Sequence, residues 1–587
     1  MRNSKNSYTI STLFFGGRLR VKFCIILFFQ GVFVQAQNQL VIPPSLTGTN
    51  FNLNVQSGTQ IFYGSTATPT YGINGAFLSP TIIVNKGDSI TLNVTNNLNV
   101  NTTMHWHGLH VSAMNDGGPH QIINPSTTWS PSFKVRNNAS TFWYHPHGAN
   151  QTEQQVSKGL AGLFIVKDSA EATLNLPRTY GVDDIPLIVQ NKAFDVLQQI
   201  AIATTMDTAI FVNGTLNSYF NAPAQVIRFR LLNGSSLRTY NFGFSNAQTF
   251  YQIATDGGLL DTSLALTRLA LSPGERAEIL VNFSGMQSQT IYLKSFASEL
   301  PTGVYGAAIV GFGADTIHEY NDNVLNGADY NLIQINIVAP SSSPVTTIQN
   351  ALIPYVPYIP ITATNYRTIV MDTIRLLPID PPNRAEGPFG MNNKTFDIDS
   401  INEVVHLNTT EIWTLINKTL VAHPFHIHDI EFNIIEKSGV PPSPSETGWK
   451  DVVLVMPNDS VKFITRFTTF ADNMTPYMYH CHLLHHEDDG MMGSFLVIDT
   501  TATTGISNPD IQNNFSIYPN PTNDFLNITS PDNKIFSLNI FNSLGEKIYS
   551  AQAFSNLKLE TSNFANGLYF IQILSDKNQF TQKFIKQ

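Results

Sequence analysis

The segment Tyr479–Met492 reads YHCHLLHHEDDGMM and sets Cys481, one of two cysteines in the chain, between His480 and His482. Packing offers no reason to gather so many soft and borderline ligands in one stretch, whereas a transition metal does. Ten of the fifteen histidines are candidate ligands in four short motifs: HWHG (His105, His107), WYHPHG (His145, His147), HPFHIH (His423, His426, His428) and HCHLLHH (His480, His482, His486). Side chains two apart on a strand share a face, so each H-x-H pair presents two imidazoles to one side. Four pairs give eight nitrogen donors, too many for one metal and right for three, if the segments that carry them pack together. The same alternation turns Cys481 away from His480 and His482, so that one strand would touch two metal sites. On the cysteine's side, His423, His486 and Met491 complete a set, and a trigonal His₂Cys site with a weak axial Met marks an electron-transfer copper centre. The C-x₄-H-x₄-M spacing suits a loop closing round one ion, which would itself stabilise the thiolate. Zinc competes for histidine-rich sites but rarely takes a thioether.

The elements that must position these motifs are strands. Runs such as TIIVNKGDSITLNVTNN and VIRFRLLNGSS alternate apolar and polar residues between turns. No long amphipathic helical segment stands out, so the fold class is all-β. Three segments share the pattern G-x-x-G-x-x-[IL]-V: GLAGLFIV from Gly159, GVYGAAIV from Gly303 and GMMGSFLV from Gly490. Each follows an alternating strand, around Leu92, Leu231 and Leu415. Self-similarity at domain length implies one β-domain used three times, as Greek-key β-sandwiches over 38–168, 175–337 and 348–499. The middle repeat offers no H-x-H pair and is expected to be a spacer that docks the outer two.

Composition narrows the function. Lys+Arg 33 against Asp+Glu 42 gives a net charge of −9 with no basic stripe, which excludes a nucleic-acid partner. At the start, Arg18, Arg20 and Lys22 precede FCIILFFQGVFV and then VQA, the order of a secretory signal peptide over 1–36, cleaved after Ala36. A membrane anchor would need about 20 apolar residues, and neither this run nor a later one supplies a transmembrane segment. Cleavage removes Cys24 and leaves Cys481 as a lone thiol that cannot form an internal disulfide. After Asp499 a polar linker, TTATTGISNPDIQNN, leads to a small β-module over 514–587 without histidine or cysteine.

All four histidine motifs resemble those of the multicopper oxidases, a family that includes laccases, bilirubin oxidases and bacterial cuprous oxidases. The resemblance covers roughly residues 38–499 and implies three cupredoxin-like domains and four copper ions. By that resemblance the type 1 copper is held by His423, Cys481 and His486 with Met491 axial, and the type 2 copper by His105 and His426. The two type 3 coppers take His107, His145 and His482, and His147, His428 and His480. Asp116, in NDGGPH, and Glu487, beside His486, resemble the family's proton donors; Asp116 also suits a turn before Gly-Gly, and Glu487 a hydrogen bond to a ligand. His110, His120, His318, His406 and His485 fall outside the ligand pattern, and Met492 suits the core. YPNP at Tyr518, LGEKI at Leu544 and GLYFIQI at Gly567 resemble type A sorting domains of the type IX secretion system of Bacteroidetes. A carbohydrate-binding or adhesive β-module is the competing reading of that segment, which lacks an aromatic cluster for stacking sugars.

Together these imply a secreted or surface-exposed laccase-like enzyme, exported through the periplasm by the type IX machinery. It would couple one-electron oxidation of a donor at the type 1 copper to four-electron reduction of O₂ to water at a trinuclear cluster. The donor would be a phenol, an aromatic amine or a metal ion. A metallo-oxidase specific for Cu(I), Fe(II) or Mn(II) is one alternative, although no Met-rich insert is present to collect Cu(I). An extracellular copper-binding protein without turnover is another, and a Cys-bridged pair of sites has no purpose in it. The secreted protein is predicted to begin near Gln37 and to lose the segment after about Asn513. Intact-mass measurement checks both losses, and a secreted species that retains FTQKFIKQ would contradict the sorting assignment.

Overall fold

A computed structural model describes residues 37–311, 317–374, 386–500, 515–529, 535–543, 545–554, 556–575 and 578–587. The signal peptide with Cys24, the linker with the cleavage point near Asn513, and Leu544 lie outside the described residues. Two compact units are present, 1–500 and 501–587.

The first unit is built of paired sheets. Near the beginning, Asn50–Gln60 shows the rule that makes them: Phe51, Leu53 and Val55 are buried while the asparagines between them face outward. This strand pairs parallel with Ser89–Asn96 and antiparallel with Thr68–Ile73. The facing sheet runs Ser45–Thr47, Thr81–Asn85, Gly162–Lys167, Ser140–Tyr144, and the two enclose a core that includes Trp106, Phe142 and Tyr144. In the middle, a six-stranded and an eight-stranded sheet enclose a second core around Phe229, Phe242 and Ile279. Asn38–Gln39, which the sequence places in the first domain, pairs parallel with Ser218 and Tyr219 and so belongs to the middle sheet. The third pair of sheets surrounds Trp413, Phe425, Tyr479 and Cys481.

The repeated glycine pattern has a packing cause. Gly159, Gly303 and Gly490 all adopt positive φ, the left-handed region that side chains resist. Three residues on, a Cβ at Gly162 would lie 2.6 Å from the Tyr144 ring, and one at Gly493 would lie 2.5 Å from the Tyr479 ring. In the first and third repeats the pattern therefore seats an aromatic ring over the strand that follows the turn; in the middle repeat a Cβ at Gly306 would instead meet the Thr239 carbonyl at 3.1 Å, and no strand follows.

Ligand placement depends on two neighbouring strands of the third domain. His423–Ile427 runs antiparallel to Asp472–Cys481, with Phe425 opposite Cys481 and His426 opposite His480. Alternation then puts His423 and Cys481 on the core face and His426 and His480 on the other. In the first domain His105 and His145 exchange backbone hydrogen bonds of 2.8 and 3.1 Å as an isolated bridge. The expectation that each H-x-H pair lies on a strand is corrected here. Ser140–Tyr144 stops before His145, and His105 and His107 stand outside any strand. Pro146, which has no N–H, and Gly108 at φ +84° end the regular pairing.

The second unit has its own core around Leu538, Ile571 and Phe584, between a three-stranded and a four-stranded sheet. No helix among the described residues is long and apolar enough to cross a membrane.

His110 joins the first and third domains. Its Nδ1 lies 2.8 Å from Asp429 Oδ1 and its Nε2 2.6 Å from Thr469 Oγ1. Burial resists its charge, but Asp429 and Glu431 prevail and raise its pKa to about 9. A pKa raised on folding stabilises the protein fully below the unfolded value, near 6.5, and the gain disappears as pH rises through about 9. His110→Gln should therefore lower the melting temperature more at pH 6 than at pH 10. A pH-independent difference in thermal melts would contradict this ion pair.

Candidate metal centre

On the core face of the two strands, three donors meet. Cys481 Sγ is 3.4 Å from His423 Nδ1 and 3.9 Å from His486 Nδ1, and the two nitrogens are 3.2 Å apart. All three side chains are buried. The outer nitrogen of each imidazole meets a hydroxyl: His423 Nε2 is 2.8 Å from Thr419 Oγ1, and His486 Nε2 is 3.3 Å from Tyr305 Oη. Nε2–H can donate to each, which leaves Nδ1 free as a ligand. Phe389 packs against both rings, with centroid distances of 4.8 and 4.6 Å. Met491 is buried beside this group; its N–H donates to the His486 carbonyl and its own carbonyl accepts from Cys481 N–H at 3.0 Å. Met492 begins the next strand and pairs with His480.

On the opposite face eight imidazoles converge. Three groups each bring their donor atoms within 4.8 Å of one another: His105, His426 and His428; His107, His145 and His482; His147, His428 and His480. His147 Nε2 and His480 Nε2 are 3.1 Å apart, and His145 Nε2 and His107 Nδ1 are 3.5 Å apart. His105 stacks on His428 and His107 on His426, at centroid distances of 3.9 and 3.7 Å, so the first and third domains supply alternate layers. In three of the pairs the two members diverge to different groups, His105 from His107, His145 from His147 and His480 from His482, whereas His426 and His428 meet in the group with His105.

These residues fit copper. Among the described residues, His105 Nε2, His426 Nε2 and both ring nitrogens of His482 are buried with no hydrogen-bond partner, a costly state unless a cation completes it. Burial, with neighbouring imidazoles, holds His107, His145, His426 and His428 well below the usual histidine range. His147 and His482 fall to about 3 by burial first, as does His423. Neutral imidazoles are what a metal requires. Burial pushes the Cys481 thiol the other way, so a thiolate there needs a bound cation.

Carboxylates surround the ligands. Asp116 ends a short helix, Ala113–Asp116, and is buried. His428 Nδ1–H donates to its Oδ2 at 2.7 Å, and its carbonyl lies 3.0 Å from His105 Nδ1. Glu487 Oε2 lies 3.1 Å from His480 Nδ1 and Oε1 3.6 Å from His147 Nδ1. Burial alone would raise the Glu487 pKa, but His480 and His147 hold it well below the usual carboxylate range. Asp116 and Glu487 thus each face two of the imidazoles.

Sequence inspection misses three residues that touch the donors, Thr419, Tyr305 and Asp451, and a fourth, Arg276, that grips Asp451. Asp451 Oδ1 lies 3.2 Å from His107 Nε2, and its carbonyl accepts from His426 Nδ1 at 2.8 Å. The middle domain is not a mere spacer, because Tyr305 and Arg276 come from it. A Cβ at its Gly274 would also lie 2.8 Å from the His482 ring. Of the remaining histidines, His120 Nε2 bonds to the Ile398 carbonyl, and His485 Nδ1 lies 3.3 Å from Glu153 Oε2. His318 is exposed at the surface, and neither it nor His406 joins the donor groups.

Comparison with known proteins agrees with this arrangement. Residues 54–171 and 370–501 each match a multicopper oxidase family, and residues 516–587 match a secretion system C-terminal sorting domain. The multicopper oxidase mco of Staphylococcus haemolyticus is 32% identical over 480 residues, 79% of this chain and 93% of that protein. The cell division protein FtsP of Escherichia coli is 31% identical over 481 residues, 78% of this chain and 93% of that protein. The crystallised laccase-like multi-copper oxidase CueO of Ochrobactrum sp. is 30% identical with a TM-score of 0.68, covering 78% of this chain and 100% of that one.

Cys481→Ser should separate the two groups. Serine is a poor substitute for thiolate sulfur, so blue absorption and the copper beside it should be lost. His480 and His482 face away, and their copper should remain, visible as a type 2 paramagnetic signal and a near-ultraviolet band. Substantial turnover in this variant, with copper content confirmed, would contradict the bridging role of Cys481.

Proposed function

Because the chain belongs to the multicopper oxidase family and is an oxidoreductase, we propose that it is an exported laccase-like enzyme that oxidises a small donor one electron at a time and reduces O₂ to water. His423, Cys481 and His486 would hold the type 1 copper, and Met491, buried beside them, would supply its weak thioether ligand. His105 and His426 hold the type 2 copper; His107, His145 and His482 hold one type 3 copper, and His147, His428 and His480 the other. Bound copper supplies the one-electron redox steps and the site for O₂. The protein's own residues do the rest. The Cys481 side chain and its flanking backbone join the two groups by covalent bonds, the shortest route for an electron between them. Asp116 accepts from His428 Nδ1–H, Glu487 lies beside His480 and His147, and both are placed to relay protons toward the imidazoles they face.

The observation that carries this reading is the bridge: one strand end delivers Cys481 to one donor group and its two neighbours to the other. Copper storage without turnover has no use for a covalent link between sites. A part in cell division, the process for which FtsP is named, has by itself no use for a buried set of neutral imidazoles. The sorting domain supports export by the type IX machinery to the surface or the medium.

Donor choice divides the reading. The Ochrobactrum relative has oxidase activity towards lignin model compounds and lignosulfonate, which supports phenolic donors here. Oxygen uptake with a panel of phenols and aromatic amines, beside Cu(I), Fe(II) and Mn(II), tests it. Phenols should drive oxygen consumption in the copper-loaded protein. Uptake with metal ions alone would assign a metallo-oxidase, and no uptake with any of these donors would leave a binding or structural protein.

A further inference from the structure

Arg276 opens the strand Arg276–Asn282 of the middle domain, which contributes no histidine to the donor groups, yet its side chain is fully buried beside them. Its Nη1 and Nη2 donate to Asp451 Oδ1 and Oδ2 at 2.5 and 2.6 Å, a parallel fork. The remaining donors are also taken: Nε by the Thr141 carbonyl of the first domain, Nη2 by the Asp256 carbonyl, and Nη1 by the Gly274 carbonyl. The guanidinium therefore ties all three domains at one point. Asp256 secures it further, accepting from Arg276 N–H at 2.8 Å through Oδ1 and lying 2.8 Å from Lys450 Nζ through Oδ2.

Asp451 is where this network reaches the donors. Its Oδ1 takes His107 Nε2–H, which turns His107 Nδ1 toward His145. Its carbonyl takes His426 Nδ1–H, which leaves the partnerless Nε2 of His426 facing the cluster. Asp451 is not itself a free ligand, because the Arg276 fork occupies both carboxylate oxygens. Nor has the contact room to relax. A Cβ at Gly108, where φ is +84°, would lie 2.4 Å from Asp451 Oδ2 and 2.9 Å from Arg276 Nη2.

We propose that Arg276 is a positioning residue for the trinuclear copper site: through Asp451 it sets which nitrogen of His107 and of His426 faces the metal. The middle domain thereby controls copper retention at a site to which it gives no ligand. The cysteine-side group, formed within the third domain, does not depend on this clamp. The proposal rests on the copper assignment above.

The test uses the full-length, copper-loaded protein with Arg276→Met, Arg276→Lys and Asp451→Asn. Copper released to a graded chelator is measured beside the blue absorption, the near-ultraviolet band and the type 2 paramagnetic signal. Loss of a hydrogen-bond partner behind a metal ligand typically costs 10–100-fold in affinity. Trinuclear copper should therefore leave at roughly 10- to 100-fold lower chelator strength in Arg276→Met and Asp451→Asn, with blue absorption unchanged. Arg276→Lys keeps the charge but not the fork, so it should fall between them and the parent protein. It also carries the test if Arg276→Met does not fold. Parent-like retention and spectra in Arg276→Lys and Asp451→Asn would overturn the proposal, and so would blue absorption falling in step with the other signals, the mark of a general packing defect. A parent protein that never holds trinuclear copper would instead overturn the copper assignment itself.

Discussion

The antiparallel pairing of His423–Ile427 with Asp472–Cys481 is the constraint on which both donor groups depend. In this register Phe425 meets Cys481 and His426 meets His480. A slip of one residue would exchange the faces, sending histidine nitrogens into the apolar core and Cys481 toward the imidazoles. The core guards the register. Phe425, Tyr479 and Cys481 pack with Trp413 and Phe463 in one buried cluster, and burying a charged or polar ring there without partners would cost several kcal/mol. Hydrophobic packing and metal chemistry thus select the same pairing.

A second constraint is the docking of domains. The eight imidazoles come from loops and strand ends of the first and third domains, stacked alternately, so neither domain alone completes the three donor groups. The middle domain touches both donor groups without joining either: Tyr305 caps His486, Gly274 fits against His482, and Arg276 grips Asp451. A domain that carries no ligand can still be indispensable when ligand orientation is set by hydrogen bonds behind the metal.

Much of this is legible in the chain itself, for a physical reason. H-x-H and H-C-H are local patterns, and strand alternation converts local spacing into direction. The repeated glycine pattern is equally local, because a positive φ is needed at its first glycine in all three repeats and room for an aromatic ring three residues on in the first and third. What sequence does not reveal is built from common residue types far apart in the chain. Arg276 and Asp451 look like any buried charges, Tyr305 like any core aromatic and Thr419 like any turn residue. Thr419 is near His423 in the chain but unmarked by type, Asp451 meets His426 through the fold of the third domain, and domain packing brings Tyr305 to His486 and Arg276 to Asp451. The same limit explains the strand expectation for His105, His107, His145 and His147: Pro146 and Gly108 end the pairing, and the imidazoles converge through loops instead.

The decisive measurement is total copper by elemental analysis together with the fraction that is paramagnetic. With one ion in the cysteine-side site and one in each of three histidine groups, the chain should hold about four coppers, and about half should be visible to electron paramagnetic resonance if the two type 3 ions couple their spins. A single blue copper, or a full complement that is entirely paramagnetic, would contradict the arrangement of one type 1 site bridged by Cys481 to a trinuclear cluster.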